Sequence, residues 1–274
     1  MADWYDALAA ERGTEFHQQV IVPGLLRLLD LKPGEKVCDL ACGQGAVTQA
    51  LHRASGQVTG VDLSPRLNEL AEQRSPKGIR YLVSDARHVP ALKSGAFDAV
   101  TCVLAAMNMD PVEPLFAEMA RLLRSSSPLP AGEGQGEGVA RPRHGPLQAS
   151  ALARAVIVIL HPAFRIPRQS RWKWDEGRKM LLREMDGYLV PKKLPIDMRP
   201  FNDPDRTVTM TYHRPAGTYV NGLAQAGLWV NAFEEWPSYR KSQPGPRAKA
   251  EDRARNEFPL FLALRAVKVD TAGQ

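Results

Sequence analysis

The feature that most constrains this chain is the alternation of its first 124 residues between short apolar runs and amphipathic stretches. Strand-like runs occupy 36–41, 57–63, 79–86 and 96–107, with helical patterns at 18–30, 45–54, 65–74 and 111–124. Strands that are apolar along their whole length must be covered on both faces, so the order strand, helix, strand, helix implies a doubly wound parallel α/β sheet. Local punctuation agrees. The Pro-Gly pair of LKPGEK closes the first helix, and Ser64 followed by Pro65 supplies an N-cap and a first helical residue for 65–74.

The pattern breaks between Ser125 and Gln148, where five glycines and four prolines accompany only Leu129, Val139 and Leu147 as bulky aliphatics. A segment so poor in apolar surface cannot offset its ordering entropy, so residues 125–150 are expected to be a disordered, low-complexity insertion. The closure entropy of a long surface loop grows slowly, so the fold around it is expected to survive. A strand resumes at 152–161. Residues 162–214 lie between core strands and are expected to form a lid over the ligand edge, with a helix at 175–190 and a strand at 207–213. Residues 215–274 then complete the sheet with a helix ending at Gly227, a strand near WVNAFEEW, a short helix and a last strand at 259–269. The core domain is thus 1–124 with 152–161.

Charge is uneven. Residues 1–124 carry 13 lysines and arginines against 15 acids, while 125–274 carry 23 against 15. The positives of the second half are scattered and belong to no nucleic-acid module, which makes nucleic acid an unfavoured partner and an anionic small molecule a better one. No run approaches the roughly 18 apolar residues of a membrane span. The N-terminal residues lack a basic-then-apolar leader pattern. Three cysteines, Cys38, Cys42 and Cys102, have no metal-ligand spacing and fall on strands or turns. That favours a reduced, cytoplasmic compartment and no metal.

The chemistry concentrates in VCDLACGQGAVTQAL. Open parallel sheets bind ligands at the carboxyl ends of their strands. There Gly43 and Gly45 let backbone approach a ligand, and the following helix offers unpaired N–H groups. A Gly-x-Gly alone is equally a tight strand-to-helix turn. Asp62, 19 residues after Gly43, ends the second strand where a carboxylate can accept both ribose hydroxyls, a rule that dinucleotide proteins share. Asp39 separates the two cases. Beside a pyrophosphate it would repel like charge, whereas a ligand with an ammonium and a sulfonium suits it. The third glycine of a dinucleotide fingerprint is also missing, since position 48 is Thr. Asp85 and Ala86 end the third strand, as an adenine clamp requires.

Together DLACGQG, GVDLS, SDARHVP and FDAVTCVLAAM resemble the class I S-adenosylmethionine-dependent methyltransferases, particularly the small-molecule type. The resemblance covers residues 1–124 and the strand at 152–161. It implies a Rossmann-like, mostly parallel seven-stranded sheet with a small lid after the fifth strand, and S-adenosyl-L-methionine as cofactor. Asp39, Leu40, Ala41, Gly43 and Gly45 would run along its methionine portion, Asp62 would hold the ribose and Leu63 would flank the adenine. Asp85 would meet the adenine amino group and Ala86 the ring, while Leu104 and Ala105 would line the site after the fourth strand.

Methyl transfer to a small acceptor, at oxygen, nitrogen or carbon, is the resulting expectation. A nicotinamide-dependent oxidoreductase on the same sheet and an inactive cofactor-binding homologue are the alternatives. The fourth strand ends VLAAMNMD, without the motif of amino-methylating nucleic-acid enzymes, and no Pro-Cys pair is present for attack on cytosine. His161, after the fifth strand, is either a general base or a histidine that caps the strand. Tyr5, His17, Arg165, Trp172 and His213 are the acceptor-side candidates, Arg165 as partner of a carboxylate or phosphate. The Trp172 and Trp174 pair is expected to offer at most one ring to the pocket.

Overall fold

The computed structural model describes residues 14–125, 152–197 and 208–268. The expectations for the 125–150 insertion and for Tyr5 therefore fall outside the described residues, Ser125 apart. The chain enters as a helix, α1, running through Thr14–Phe16, a π turn at His17–Ile21 and Val22–Leu29. Then follow β1 (Lys36–Leu40), α2 (Ala46–Ser55), β2 (Gln57–Asp62), α3 (Pro65–Arg74), β3 (Arg80–Val83), β4 (Ala99–Val103) and α4 (Glu113–Leu122). After β5 (Arg154–Leu160) come two hairpins, β6 (Ser170–Asp175) with β7 (Met180–Met185) and β8 (Lys192–Asp197) with β9 (Val208–His213). The chain then completes the sheet with α5 (Ala216–Gln225), β10 (Leu228–Trp236), α6 (Ala248–Glu257) and β11 (Phe261–Lys268).

Seven strands form one sheet in the order β10-β11-β5-β4-β1-β2-β3. All neighbours are parallel except β11, which runs antiparallel to both β5 and β10. This is the Rossmann-like seven-stranded architecture expected, with the lid elements after the fifth strand. The continuous apolar strands explain it: Val156, Ile157 and Val158 are fully buried because helices cover both faces. One face packs under α1 with Ile21, Leu25 and Leu29, the other under α4 and α5 with Leu115, Phe116, Met119 and Leu223. Ser64 caps α3 as expected, its Oγ accepting from the Leu67 N–H at 3.3 Å.

One fully buried charge ties the base of the sheet to α1. The Arg154 guanidinium donates to Glu35 Oε2 at 2.6 Å and to the backbone carbonyls of Leu29 and Asp30, where the chain leaves the helix.

The segment expected to form the lid departs from its expected structure. Residues 175–190 hold no helix; the β6–β7 hairpin occupies 170–185. Helix-forming residues in GRKMLLREM suggested otherwise, but the turn chemistry prevails. The Asp175 carboxylate accepts from the Arg178 N–H at 2.8 Å, and Lys179 takes a positive φ of 52°. The β8–β9 hairpin is fastened to the loop after β4: the Thr211 hydroxyl and the Arg214 guanidinium donate to the carbonyls of Met107 and Met109.

Candidate functional site

The chain runs outward from β1 through β2 to β3, then returns to place β4 on the other side of β1. That reversal leaves a crevice beyond the carboxyl ends of β1 and β4. A cleft of about 680 Å³ lies there, lined by Asp39, Ala41, Gly43, Gln44, Val103 and Leu104, with His17 and Gln18 of α1 along one side.

Its backbone is left-handed at both strand ends. Ala41 and Leu104, which follow β1 and β4, have positive φ values of 56° and 55°. Gly43 and Gly45 share that region at 55° and 80°. For non-glycine residues this conformation is uncommon and carries strain, which clusters where backbone is shaped for a function. Gly45 is the N-cap of α2 and has a second reason to be glycine, since an added Cβ would collide with the Tyr81 hydroxyl.

Asp39 sits at the cleft's base, 1% exposed. Its two carboxylate oxygens accept from the hydroxyls of Thr48 at 2.7 Å and Thr101 at 2.8 Å. Burial pushes its pKa up to about 6, against the pull of the two hydroxyls. Thr101 stands opposite Asp39 in the β1–β4 register, so β4 contributes to the site by pairing alone. Both threonines escaped the sequence reading, since only the strand register brings Thr101 to Asp39.

Asp62 organises the neighbouring strand end. One oxygen accepts from the Gly43 N–H at 2.8 Å and the other from the Ser64 N–H at 2.9 Å, which pins the glycine turn to β2. Leu63, next in the chain, leaves an apolar side chain 68% exposed. Asp85 is engaged by Arg87, which forms an ion pair at 2.7 Å and holds the carboxyl below its ordinary pKa.

The structure thus brings Asp39, Ala41, Gly43, Leu104 and His17 to one cleft and sets Asp62 behind its turn. Leu40 and Ala86 are buried in the core, leaving only backbone to meet a ligand, and Ala105 packs against that core.

His161 follows β5, but both ring nitrogens have partners. Nδ1 accepts from the N–H groups of Ala163 at 3.2 Å and Phe164 at 3.4 Å. That arrangement leaves the proton on Nε2, which donates to Glu235 at 2.7 Å. Burial lowers the imidazole's pKa, against the opposing pull of Glu235. With neither ring nitrogen free, His161 is engaged in joining the end of β5 to the turn that follows and to β10, and the general-base expectation finds no support in this geometry. His213 is buried and bonds the Tyr188 carbonyl at 2.8 Å. Arg165 and Trp172 line a separate cleft. Trp174 shares a face of β6 with Trp172, because residues two apart in a strand point the same way, so alternation does not separate the two rings as expected. The Trp174 ring lies under Arg247.

Residues 38–129 match the family model described as a methyltransferase domain. A ubiquinone biosynthesis O-methyltransferase of Xanthomonas oryzae is 30% identical over 129 residues, 46% of this chain and 54% of that protein. The chain therefore spans about half the length of the curated relatives it matches. Among solved structures, an S-adenosylmethionine-dependent methyltransferase from Mesorhizobium loti superimposes with a TM-score of 0.61 at 22% identity, covering 90% of this chain and 96% of that one. A geranyl diphosphate C-methyltransferase from Streptomyces coelicolor gives 0.52 at 16% identity, over 91% and 78%. These likenesses establish the fold. One relative is named for methylation at oxygen and one for methylation at carbon.

Proposed function

We propose that this chain, which carries a class I S-adenosylmethionine-dependent methyltransferase domain, binds S-adenosylmethionine in the cleft between β1 and β4 and methylates a small-molecule acceptor. The observation that carries this reading is the buried carboxylate of Asp39 beneath a left-handed glycine turn that Asp62 holds in place.

The residues fit a cationic nucleoside. Asp39 favours an ammonium or sulfonium above it and opposes the pyrophosphate of a dinucleotide. Each Asp62 oxygen spends one lone pair on a backbone N–H and keeps another for a ribose hydroxyl. The uncovered Leu63 side chain offers an apolar face to an adenine ring. Asp85 fits less directly, because an adenine amino group must share its carboxylate with Arg87.

When bound, S-adenosylmethionine supplies a methyl group already activated on sulfur. The work left to this chain is to orient the acceptor and exclude water. A base is needed only for an acceptor that must lose a proton. The contacts of the β8–β9 hairpin with the loop after β4 support a role for it in covering that step. An anionic or aromatic acceptor suits the surplus of arginine and lysine in the second half of the chain. Among the described residues no helix is long and apolar enough to cross a membrane. The three free cysteines support a cytoplasmic setting.

The test is incubation of the full chain with methyl-labelled S-adenosylmethionine and a panel of small phenols, amines and carboxylic acids. Label transfer to an acceptor, with matching release of S-adenosylhomocysteine, is the expected result. Tight S-adenosylhomocysteine binding without transfer to any acceptor would favour the inactive cofactor-binding protein.

A further inference from the structure

Between α1, the β6–β7 hairpin and the C-terminal end of α6 lies a second cleft, of about 270 Å³. Arg165, Arg183, Arg240 and Arg255 line it, and among the described residues no carboxylate side chain does. Two of the four have acids set away from the cleft: Arg240 pairs with Glu15 at 3.3 Å, and Arg255 faces Glu251 at 3.8 Å. The Arg183 guanidinium gives its hydrogen bonds to neutral oxygens, the Phe164 carbonyl and Ser170 Oγ. Arg165 has no side-chain hydrogen bond or ion pair among the described residues.

Burial holds Arg165 below its ordinary pKa, and Arg183 is lowered first by burial and then by the charge of Arg165. Like charges facing each other in a partly desolvated cleft are unfavourable without a counter-ion. A planar anion gripped by the Arg165 fork and by the remaining Arg183 Nη1 removes that cost.

The walls define the rest of the ligand. Phe258 meets Phe164 and Trp172 edge-on, with ring centroids 5.4 Å away in each case, and Arg183 lies over the Trp172 face at 4.8 Å. An apolar cavity of about 150 Å³ accepts a benzene ring. This cleft therefore has room for one ring with a carboxylate. Its position joins it to the proposed reaction. Phe16 lines it while the next residue, His17, lines the cleft of Asp39. Arg165 also borders the narrow gap lined by Met107, Leu160 and Tyr212.

We propose that this cleft is a binding site for a one-ring aromatic carboxylate, with the carboxylate gripped by Arg165 and Arg183 and the ring against Trp172 and Phe258. Naming that ligand the methyl acceptor rests on the methyl-transfer reading above; the binding site itself does not.

The test is isothermal titration of the full chain with benzoate, cyclohexanecarboxylate and benzyl alcohol, with S-adenosylhomocysteine titrated into the same preparations. Benzoate is expected to bind, with the saturated-ring acid and the uncharged alcohol each weaker. Charged hydrogen bonds of about 1.5–3 kcal/mol predict that Arg165→Gln weakens benzoate roughly tenfold or more. Since Arg165 holds no described partner, that variant should fold normally and bind S-adenosylhomocysteine unchanged. Absence of benzoate binding at about 10 mM, far weaker than charge-assisted contacts imply, overturns the proposal, as does equal binding by wild type and Arg165→Gln. Equal binding of cyclohexanecarboxylate overturns its aromatic half. S-adenosylhomocysteine binding without benzoate binding removes this site alone, whereas the reverse removes the methyl-transfer reading and leaves the site standing.

Discussion

At the β1 end of the sheet the acidic side chains are sheltered and matched: Asp39 by two threonine hydroxyls, Asp62 by two backbone N–H groups. In the second cleft, beside the β6–β7 hairpin, the balance is reversed. Basic side chains crowd a half-open cleft, and Arg165 and Arg183 face it without an acid. The sheet edge holds both carboxylates in contacts made within the fold. Arg240 and Arg255 turn to Glu15 and Glu251 and Arg183 to neutral oxygens, which leaves Arg165 as the cleft arginine without a side-chain partner among the described residues. The proposed cofactor site and the proposed anion site thus occupy separate clefts of one chain.

The contrast is broken first at its foundations. Arg154→Leu leaves Glu35 without its partner at the base of the sheet, and removing one member of a buried pair costs about 3–5 kcal/mol. Chemical denaturation measures it, and a negligible loss would show that the sheet half is not held by matched burial. Next in size, Asp62→Ala removes both backbone contacts and the proposed ribose acceptor, so S-adenosylhomocysteine affinity should fall about 100-fold by titration. Unchanged affinity would remove Asp62 from the site.

A smaller effect sharpens the account of Asp39. Its folded pKa of about 6 lies above the ordinary 3.8, so the folded chain retains this proton to higher pH than the unfolded chain. The stabilising contribution is complete below about pH 4 and is lost as pH rises through 6. Between pH 5 and 7.5 the loss amounts to about 1–2 kcal/mol. Asp39→Asn should abolish that part of the pH dependence in urea titrations, and identical profiles would place the carboxylate in water. Smallest of all, Arg171→Ala in the lid should leave the unfolding midpoint where it was. Its ion pair with Glu184 is exposed and screened, and a marked loss would erase the distinction between the two regions.

How much was legible in the sequence follows the same division. Strands such as 154–160 announce themselves because both faces are buried, and Asp39, Gly43 and Asp62 are recognisable because their chemistry is local to strand ends. The hairpin at 170–185 was not legible. Its residues favour helix by propensity, and cross-strand pairs such as Trp172 with Arg183 decide otherwise. His161 suggested a base from its place after β5, but its partners come from β10 and the following turn, which only the fold assembles. The arginine cleft was hidden for the same reason, since Arg165, Arg183, Arg240 and Arg255 are far apart in the chain. Arg165 alone was marked as an anion partner.

The measurement that tests the central claim most directly is parallel isothermal titration of the full chain with S-adenosylmethionine, S-adenosylhomocysteine and NADH. The account predicts binding of both adenosyl ligands and none of NADH, because Asp39 favours a cation where a dinucleotide brings a pyrophosphate. Binding of NADH, or silence from both adenosyl ligands in a folded sample, would contradict it.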